Sequence, residues 1–316
     1  MSFAEAIRRE ARELGFDAVG IAAVAPSPLP STLSQRLHWW LQRGYHGTMA
    51  WLARDPSRRA DPQLVLPGCR SIISVGKNYD TGHRATEGPG YGRIARYAWG
   101  KDYHHLLGDR LKQLEARIRE CSPDATTRSY VDTGPIMEKA WAQQAGLGWI
   151  GKHSNLVSSE YGSWLLLGEI LTTLELPPDE PATDLCGSCT LCIQACPTQA
   201  IPEPYVVDAT RCISYLTIEF RGRREEIPND VASGIGQHIF GCDDCLDVCP
   251  FNLRGERTTE PAFIPSQHTL APSLKELATL DEAGFAERFR ESPIRRTKLQ
   301  GLQRNVAIAK ANQPLT

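Results

Sequence analysis

The chain has 316 residues, of which 41% are hydrophobic and 23% are charged, and its formal net charge is −2. This composition is ordinary for a globular protein of two or three packed units, and it excludes a generally basic surface, so any nucleic-acid site must be a local patch. No apolar run reaches the roughly 18 residues of a membrane span, and the charged N-terminus "MSFAEAIRREARELGF" is not a secretory signal, so we expect a cytoplasmic protein without a membrane partner.

Helices and strands alternate over the first 176 residues. Residues 3–14 predict an amphipathic helix that ends at Gly15, and "DAVGIAAV" predicts the strand after it. The segment "STLSQRLHWWLQRG" predicts a second helix with Ser31 as its N-cap. Next, "SIISVG" and "TRSYV" predict buried strands on either side of the helix "HHLLGDRLKQLEARI". The short helix "MEKAWAQQA" then precedes "GSWLLLGEILTTLEL", a strand or strand pair. This order predicts an α/β or α+β layer domain.

Cysteines dominate the region that follows the linker "PPDEPATD", since residues 184–253 hold eight of the ten in the chain. In a cytoplasmic protein such cysteines are ligands more often than disulfides. Two runs match the C-x2-C-x2-C-x3-C-P spacing of bacterial ferredoxins, the second with a stretched first spacing, and the fourth cysteine of each run ligates the other cluster. We therefore expect two 4Fe–4S clusters, held by group A (Cys186, Cys189, Cys192 and Cys249) and group B (Cys196, Cys212, Cys242 and Cys245).

Structural zinc is the alternative, because zinc sites also use C-x2-C pairs. The two x3-C-P endings favour interleaved iron–sulfur clusters. Cys69 and Cys121 lie outside both runs, and we expect ordinary buried thiols there. Some 180 residues precede the clusters, more than an electron carrier needs, so the clusters are expected to feed a redox site in the front domain. No G-x-G-x-x-G follows a strand and no P-loop is present.

Asp132 is the candidate catalytic residue of the front domain. It stands directly after the strand "TRSYV" and before the turn Thr133-Gly134-Pro135, at the end of a strand, where α/β proteins form sites. The alternative is a turn-forming aspartate. Aromatic and histidine side chains nearby have a similar alternative, as core or surface residues: Tyr97, Trp99, Tyr103, His104, His105 and His153.

Eight stretches carry a resemblance to a known family: "LGFDAVGIA", "GYHGTMAWL", "RYAWGKDYH", "VDTGPIMEKAWAQQAGLGWIGKHSNL", "GSWLLLGEILT", "CISYLTIE", "FGCDDCLDVCPFN" and "SPIRRTKLQGLQRN". In these the chain resembles the epoxyqueuosine reductases, whose core is similar to that of reductive dehalogenases. The resemblance implies an α+β fold with three parts. Residues 1–178 would form a layered α/β cobalamin-binding domain with a nitroreductase-like core, residues 179–255 a ferredoxin-like domain, and residues 256–316 a short, basic, helical region, truncated relative to longer members.

The resemblance also implies a reaction. Epoxyqueuosine at the wobble position of a tRNA anticodon is reduced to queuosine with two electrons and two protons, using cobalamin fed by the two clusters. An external electron donor would supply the clusters, and we expect a monomer. Asp132 matches the proton donor of the family, and we expect burial to raise the pKa of its carboxyl group. The residues that match cofactor-binding stretches are Arg58, Arg59, Tyr97, Asp132, His153, Ser154, Asn155, Gly162, Ser163, Ser214 and Tyr215.

The C-terminal region carries a run of positive charge. From Arg288 to Lys310 there are seven lysines or arginines and one acid, Glu291. Such a run is often only a solvated helix face. Beside a tRNA substrate, four of these side chains would be phosphate contacts: Arg295, Arg296, Lys298 and Arg304.

Three other functions remain open from the residues alone. The first is a reductase that uses cobalamin and iron–sulfur clusters to reduce a small molecule, as a dehalogenase does. The second is a non-enzymatic electron-transfer module that binds no corrin. The third is a zinc-bearing RNA-binding protein. Iron–sulfur and corrin absorption bands separate most of these alternatives.

Overall fold

The computed structural model of the protein describes residues 2–25 and 29–313. The helices are α1 Phe3–Glu13, α2 Leu29–Gln42, α3 Ala50–Ala53, α4 Pro56–Ala60, α5 Tyr103–Cys121, α6 Glu138–Gln144, α7 Leu191–Gln194, α8 Ile213–Ile218, α9 Asn229–Gly234, α10 Asp244–Asp247, α11 Gln267–Leu270, α12 Leu274–Ala278, α13 Glu282–Arg288 and α14 Lys298–Ala311. The strands are β1 Ala18–Ala23, β2 Ser71–Asn78, β3 Arg93–Ile94, β4 Thr127–Tyr130, β5 Trp149–Ile150, β6 Leu156–Val157, β7 Leu165–Thr172 and β8 His238–Phe240.

A four-stranded antiparallel sheet in the order β1-β2-β7-β4 forms the centre of the N-terminal part. Every residue of β2 is buried, because helices cover both faces of the sheet. Ile73 packs with the buried faces of α1 and α5, and Ile72, one residue earlier, packs with Trp141 of α6. This alternation is the two-residue period of a strand. Helices on an antiparallel sheet confirm the predicted α+β class.

The helices and strands predicted for the first 176 residues are present, but several details differ. The strand predicted from "TRSYV" is not buried, because β4 has three half-buried residues and an exposed Arg128. Ser31 lies inside α2, which begins at Leu29, so the prediction of an N-cap at Ser31 is wrong. Residues 26–28, immediately before this helix, lie outside the described residues. Cys69 is fully buried as expected, but Cys121 is exposed because it ends α5 at the surface, so the prediction of a buried Cys121 is also wrong.

The cysteine region and the C-terminal helices share cores with the front part of the chain. Strand β3 pairs in parallel with β8, which lies just before group B residue Cys242. A second core joins Trp99, Phe240 and Leu302, which come from all three predicted domains. The domain boundaries at 178 and 255 stay a prediction, and the packing crosses them. No helix in the described part of the chain is long and apolar enough to cross a membrane.

Candidate active site

Asp132 lies in the loop between β4 and α6, in a left-handed conformation with φ of 57°. Aspartate tolerates this conformation better than most residues do. Its backbone N–H donates to Glu138 Oε1 at 2.6 Å, and the Tyr103 hydroxyl donates to Asp132 Oδ2 at 3.1 Å. The side chain of Asp132 remains 64% exposed. The loop is therefore held from both sides while its carboxylate stays open to a ligand.

His104 connects Asp132 to a second carboxylate. It lies in the first turn of α5, where Asp102 is the N-cap and accepts from the His104 backbone N–H at 3.0 Å. His104 Nδ1 lies 2.7 Å from Asp102 Oδ1, and its Nε2 lies 3.6 Å from Asp132 Oδ2. The ring of Tyr103 stacks on the imidazole with centroids 4.1 Å apart. The imidazole thus bridges two carboxylates, an arrangement that favours its charged form.

The proton expected on Asp132 lies on His104 instead. Burial opposes the positive charge of His104, but its contacts with Asp102 and Asp132 outweigh burial and raise the pKa of His104 to about 9. The contact with His104 also lowers the pKa of Asp132, against the opposing effect of burial. The expectation that burial raises the pKa of Asp132 is therefore wrong, because the neighbouring cation dominates. At neutral pH the pair holds one proton, on His104.

Glu138 is a second proton-holding group beside Asp132. Burial, and then the charge of Asp132, raise the pKa of Glu138 to about 7. Glu169 of β7 is buried, neither of its carboxylate oxygens has a hydrogen-bond partner among the described residues, and burial raises its pKa well above the usual value. Burial thus favours the neutral form of Glu169, and Glu138 holds a proton for part of the time near neutral pH.

Lys139 joins the Asp132 site to the cysteines. Its ammonium group donates to the backbone oxygen of Ser154 at 3.0 Å and to Asn155 Oδ1 at 2.7 Å. Burial lowers the pKa of Lys139, while the charges of Asp132, Glu138, Cys245 and Cys212 oppose that shift. The group B cysteines and the carboxylates at Asp132 therefore lie in one electrostatic neighbourhood.

The eight cysteines of the two runs are brought together in the pattern that their spacing predicts. Burial raises the pKa of the Cys192 thiol, and Cys186, Cys189 and Cys249 raise it further. Burial likewise raises the pKa of Cys242, with contributions from Cys245 and Cys212, and the pKa of Cys245 is raised by burial and by Cys212 and Cys196. The distant members Cys249 and Cys196 thus lie beside the opposite runs.

The spacing within each group is wider than zinc requires. Histidine nitrogens, cysteine sulfurs and carboxylate oxygens can all bind a metal. Among the described residues, one set of three such atoms lies within 4.8 Å of one another, and it belongs to His238, Cys242 and Asp244, a set with a single cysteine. Tetrahedral zinc at about 2.3 Å from each sulfur brings sulfur atoms to within roughly 4 Å of one another. The cysteine groups are therefore open enough for a larger inorganic core.

Several predicted cofactor residues lie in the loop segments on either side of β6. His153 Nδ1 accepts from the Asn155 backbone N–H at 3.1 Å, and His153 Nε2 lies 3.4 Å from Ser163 Oγ. Burial lowers the pKa of His153 to about 4, so it is neutral at neutral pH. Gly162 has φ of 60°, and a Cβ there would lie 2.1 Å from Asn252 Oδ1. This loop therefore packs closely against the cysteine region.

Two of these residues retain buried polar atoms without a hydrogen-bond partner in the described part of the chain, Ser154 Oγ and Arg58 Nε. Buried polar atoms are nearly always paired, so unpaired ones suit a polar ligand. Ser154 is also in a left-handed conformation, with φ of 63°, beside the Lys139 ammonium group. These residues, with the open carboxylate of Asp132, fit a large polar cofactor.

The remaining predicted residues make contacts within the protein. Burial raises the pKa of the Cys212 thiol, while hydrogen bonds from the backbone of Tyr215 and Ser214 lower it, so these two residues support group B. The Tyr215 hydroxyl is hydrogen-bonded to the Thr48 backbone N–H at 2.8 Å. The Arg59 guanidinium lies 5.0 Å from the ring centroid of Trp51. Tyr97 packs edge-on against Tyr103, with centroids 6.1 Å apart, next to Asp132.

The four predicted tRNA contacts differ in their availability. Arg295, Arg296 and Lys298 are exposed, and Arg296 forms a two-point ion pair with Glu219 at 2.9 and 3.0 Å. Arg304 instead donates through all three guanidinium nitrogens to the backbone oxygens of Phe220, Gly222 and Leu216 and to the side chain of Asn305. The expected phosphate contact at Arg304 is wrong, because its five N–H groups are used within the fold.

Sequence reasoning did not single out Asp102, Glu138 or Lys139. The signal for Asp102 was local, since an aspartate before a predicted helix is a preferred N-cap and His104 follows within the first turn. Glu138 and Lys139 begin α6, but their proximity to Asp132 depends on the fold of the loop. Of the two adjacent histidines, His104 belongs to the site and His105 is exposed.

Comparison with known proteins supports the functional interpretation of these residues. Residues 59–133 match the family described as "Epoxyqueuosine reductase QueG, DUF1730", and residues 185–252 match the "4Fe-4S double cluster binding domain". An epoxyqueuosine reductase of Synechocystis sp. is 48% identical over 288 residues, which cover 91% of this chain and 98% of that protein.

Two solved structures are similar over nearly the whole chain. One is an epoxyqueuosine reductase with an epoxyqueuosine-modified tRNA-Tyr stem loop, at 32% identity and a TM-score of 0.89, covering 98% of this chain and 81% of that one. The other, from Bacillus subtilis, has 31% identity and a TM-score of 0.89, with the same coverage, and its catalytic aspartate loop is swung out of the active site.

Proposed function

The chain belongs to the epoxyqueuosine reductase family and is an oxidoreductase that reduces epoxyqueuosine to queuosine, and we propose that it does so with cobalamin fed by two 4Fe–4S clusters. The substrate is epoxyqueuosine at the wobble position of a tRNA anticodon. A tRNA stem loop is bound by a relative of similar fold. The proposal includes a monomer, an external protein that donates electrons, and a cytoplasmic location.

The observation that carries this proposal is that the carboxylates and group B share the buried surroundings of Lys139. The ammonium group is hydrogen-bonded to Ser154 and Asn155, and the charges of Asp132, Cys212 and Cys245 all act on it. A reduction that consumes both electrons and protons needs the electron source and the proton source next to each other. A separate electron carrier would have no use for a titratable group at this point.

Two clusters account best for the cysteine pattern. Each group draws three cysteines from one run and one from the other, as in two-cluster ferredoxins. The group spacing is also too wide for zinc. Group B would be the cluster next to the reaction site, since its cysteines are the ones beside Lys139.

Cobalamin would lie against the open side of this site. When bound, it would supply the strongly reducing centre that the opening of the epoxide requires. Ser154 and Arg58 offer unpaired polar atoms for its amide groups, Asn155 follows Ser154 in the chain, and Tyr97 packs against Tyr103. The buried, neutral His153 would keep the loop in place without adding charge.

Proton delivery would depend on His104 and Asp132 together. The epoxide oxygen leaves as water, which takes up the two protons of the reaction. Asp132 is exposed and ionised, so it must first receive a proton, and His104 stores one 3.6 Å away. We assign Asp132 as the donor to the substrate oxygen and His104 as its proton store. Glu138, with its pKa of about 7, is the nearest source of a second proton.

The direct test is anaerobic incubation of the purified protein with tRNA that carries epoxyqueuosine and a chemical reductant. Nucleoside mass analysis should show loss of one oxygen atom and appearance of queuosine. The absorption spectrum should contain both iron–sulfur and corrin bands. Iron–sulfur bands without a bound corrin, together with no conversion, would favour the electron-transfer module, and conversion of an organohalide alone would favour a dehalogenase-like enzyme.

The first prediction concerns pH. Activity that needs the His104 proton should be present below the pKa of His104 and lost as the pH rises through about 9. Asp102→Asn removes the carboxylate charge that stabilises this proton, so the alkaline loss of activity should move down by about 1–3 pH units. Asparagine is as good an N-cap as aspartate, so α5 should remain intact.

Single-turnover rates between pH 6 and 10 would measure this shift. Asp109→Asn is the matched control, because Asp109 is an exposed aspartate of the same helix. Its pH profile should equal that of the wild type. If Asp102→Asn left the alkaline limb unchanged while the protein stayed folded, His104 would not be the proton store.

A further inference from the structure

Two buried side chains from the front part of the chain reach the cysteines of group A. Trp149 begins β5, and Lys152 lies in the loop between β5 and β6. Trp149 is 2% exposed and Lys152 is 9% exposed. A lysine is seldom buried to this extent unless its ammonium group has partners. The reaction as derived above uses neither side chain.

The indole N–H of Trp149 donates to a group A sulfur. Trp149 Nε1 lies 3.4 Å from Cys186 Sγ. Phe251, two residues after Cys249, packs edge-on against the indole with ring centroids 4.8 Å apart and so fixes its orientation. Hydrogen bonds to an ionised acceptor are stronger than those to a neutral one. The contact should therefore strengthen as negative charge is added to the core that Cys186 helps to hold.

The ammonium group of Lys152 is bound to the loop that carries the first two group A cysteines. It donates to the backbone oxygens of Gly187 at 2.6 Å and of Cys189 at 2.8 Å. The backbone oxygen of Lys152 accepts from the Tyr205 N–H at 2.9 Å, which fixes this part of the loop. A buried cation interacts with a nearby charge more strongly than an exposed one does, because water and salt screen it less.

Group A holds the cluster nearer to the surface. Leu185 and Leu191, which directly precede two of its cysteines in the chain, are both exposed. Group B, in contrast, lies beside the buried Lys139 and the carboxylates of the reaction site. An electron from an external donor would therefore enter at group A and pass to group B. The ease with which the group A cluster is reduced then limits how weak a reductant can serve.

We propose that Trp149 and Lys152 are positioning residues that raise the reduction potential of the cluster held by group A. The potential of an iron–sulfur cluster depends on hydrogen bonds to its sulfurs and on the charge around it. Reduction adds one electron, so the reduced state carries one more negative charge, and both contacts stabilise that state. The inference rests on the proposed pair of clusters and deepens it, since it assigns to the front part of the chain the adjustment of one cluster.

The test is a reductive titration of the anaerobically purified protein, followed by electron paramagnetic resonance, and it needs neither tRNA nor turnover. Trp149→Phe keeps a ring against Phe251 but removes the N–H group. The midpoint potential of the group A cluster should fall. At the wild-type midpoint, the ratio of reduced to oxidised group A cluster should drop by roughly 2- to 12-fold, the change in equilibrium that corresponds to the usual net worth of one hydrogen bond. The midpoint of group B should stay the same.

A second variant tests the charge. Lys152→Met keeps an unbranched stem in the buried space but removes the ammonium group, so it should lower the same midpoint. Cys196→Ala, which is expected to keep the group A cluster alone, identifies that midpoint in the titration. Trp149→Phe leaves the contacts of Lys152 in place, so it tests the potential even if Lys152→Met binds less iron.

Trp141→Phe is the matched control. Trp141 is fully buried in α6, and its Nε1 has no hydrogen-bond partner among the described residues. Both midpoints of this variant should equal those of the wild type. A merely structural role of Trp149 would lower iron content or thermal stability and leave the potential unmoved. An unchanged group A midpoint in Trp149→Phe, or equal shifts of both midpoints, would overturn the proposal.

This outcome is separate from that of the proposed reaction. A wild type that held two clusters but converted no epoxyqueuosine would contradict the reaction. A lowered group A midpoint in Trp149→Phe would still establish the role of the two residues, because the titration measures the cluster and not the product.

Discussion

Asp132→Asn is expected to lower turnover by about 10²-fold or more while it leaves the fold, both clusters and the bound cofactor in place. Loss of a general acid usually costs about 10²–10⁴ in rate. Asparagine is nearly the same size and also tolerates the left-handed conformation that Asp132 adopts at φ of 57°. Its backbone N–H can still donate to Glu138, so the loop should keep its shape.

The amide cannot take a proton from His104 and pass it to the departing oxygen. If Asp132 only shaped the turn, asparagine would do so equally well and activity should persist. The measurement is single-turnover conversion of epoxyqueuosine tRNA, with cofactor content matched between variants. Asp124→Asn, an exposed aspartate before β4, is the control and should behave as the wild type. Near wild-type conversion by a fully loaded Asp132→Asn protein would remove Asp132 from the mechanism.

Cys249→Ala and Cys196→Ala are each expected to abolish turnover, by removing opposite clusters. The wild type should contain about eight irons per chain, and each variant about four. Cys249→Ala should lose the group A cluster, because Cys249 interacts with Cys186 and Cys189. Cys196→Ala should lose the group B cluster, because Cys196 interacts with Cys212 and Cys245. Either loss interrupts the route of electrons to the site.

Iron and acid-labile sulfide analysis, with electron paramagnetic resonance of the remaining cluster, would separate the two cases. Cys121→Ala is the matched control, because Cys121 is the exposed cysteine at the end of α5, outside both groups. It should keep both clusters and full activity. Two zinc ions and no sulfide in the wild type would contradict the electron-transfer argument, and a full iron content in either variant would contradict the crossed assignment.

Much of the fold could be predicted because its signals are local. The buried strand β2 follows from a short apolar run, and the amphipathic stripe of α5 follows from a period of 3.6 residues. Helix beginnings were less certain, and Ser31 shows why. Serine is a good N-cap wherever a helix begins, but Ser31 lies within α2, whose described part begins at Leu29.

The sequence indicated Asp132 as a candidate, from its place after a strand and within the family stretch, but it could not predict the charges around that residue. Its pKa depends on His104, which lies on a different element and contacts it only in the folded chain. Sequence reasoning considered burial of the carboxyl group and had no means of including an imidazolium 3.6 Å away.

The sequence by itself determined the chemistry that depends on fixed spacing along the chain, which is ligation by the cysteines. The cysteine runs predict iron–sulfur ligation, because C-x2-C loops and the x3-C-P ending constrain the thiolates within a few residues, and the crossed assignment of the ligands stays a prediction. Only the tertiary structure decided which ionisable groups share an environment. Arg304 was one cation among seven in the sequence, yet carbonyl groups of the segment after α8 occupy its donors. The proton on His104 and the contact of Trp149 with Cys186 likewise depend on distant segments, because electrostatic and hydrogen-bond energies depend on distance in space and not on separation along the chain.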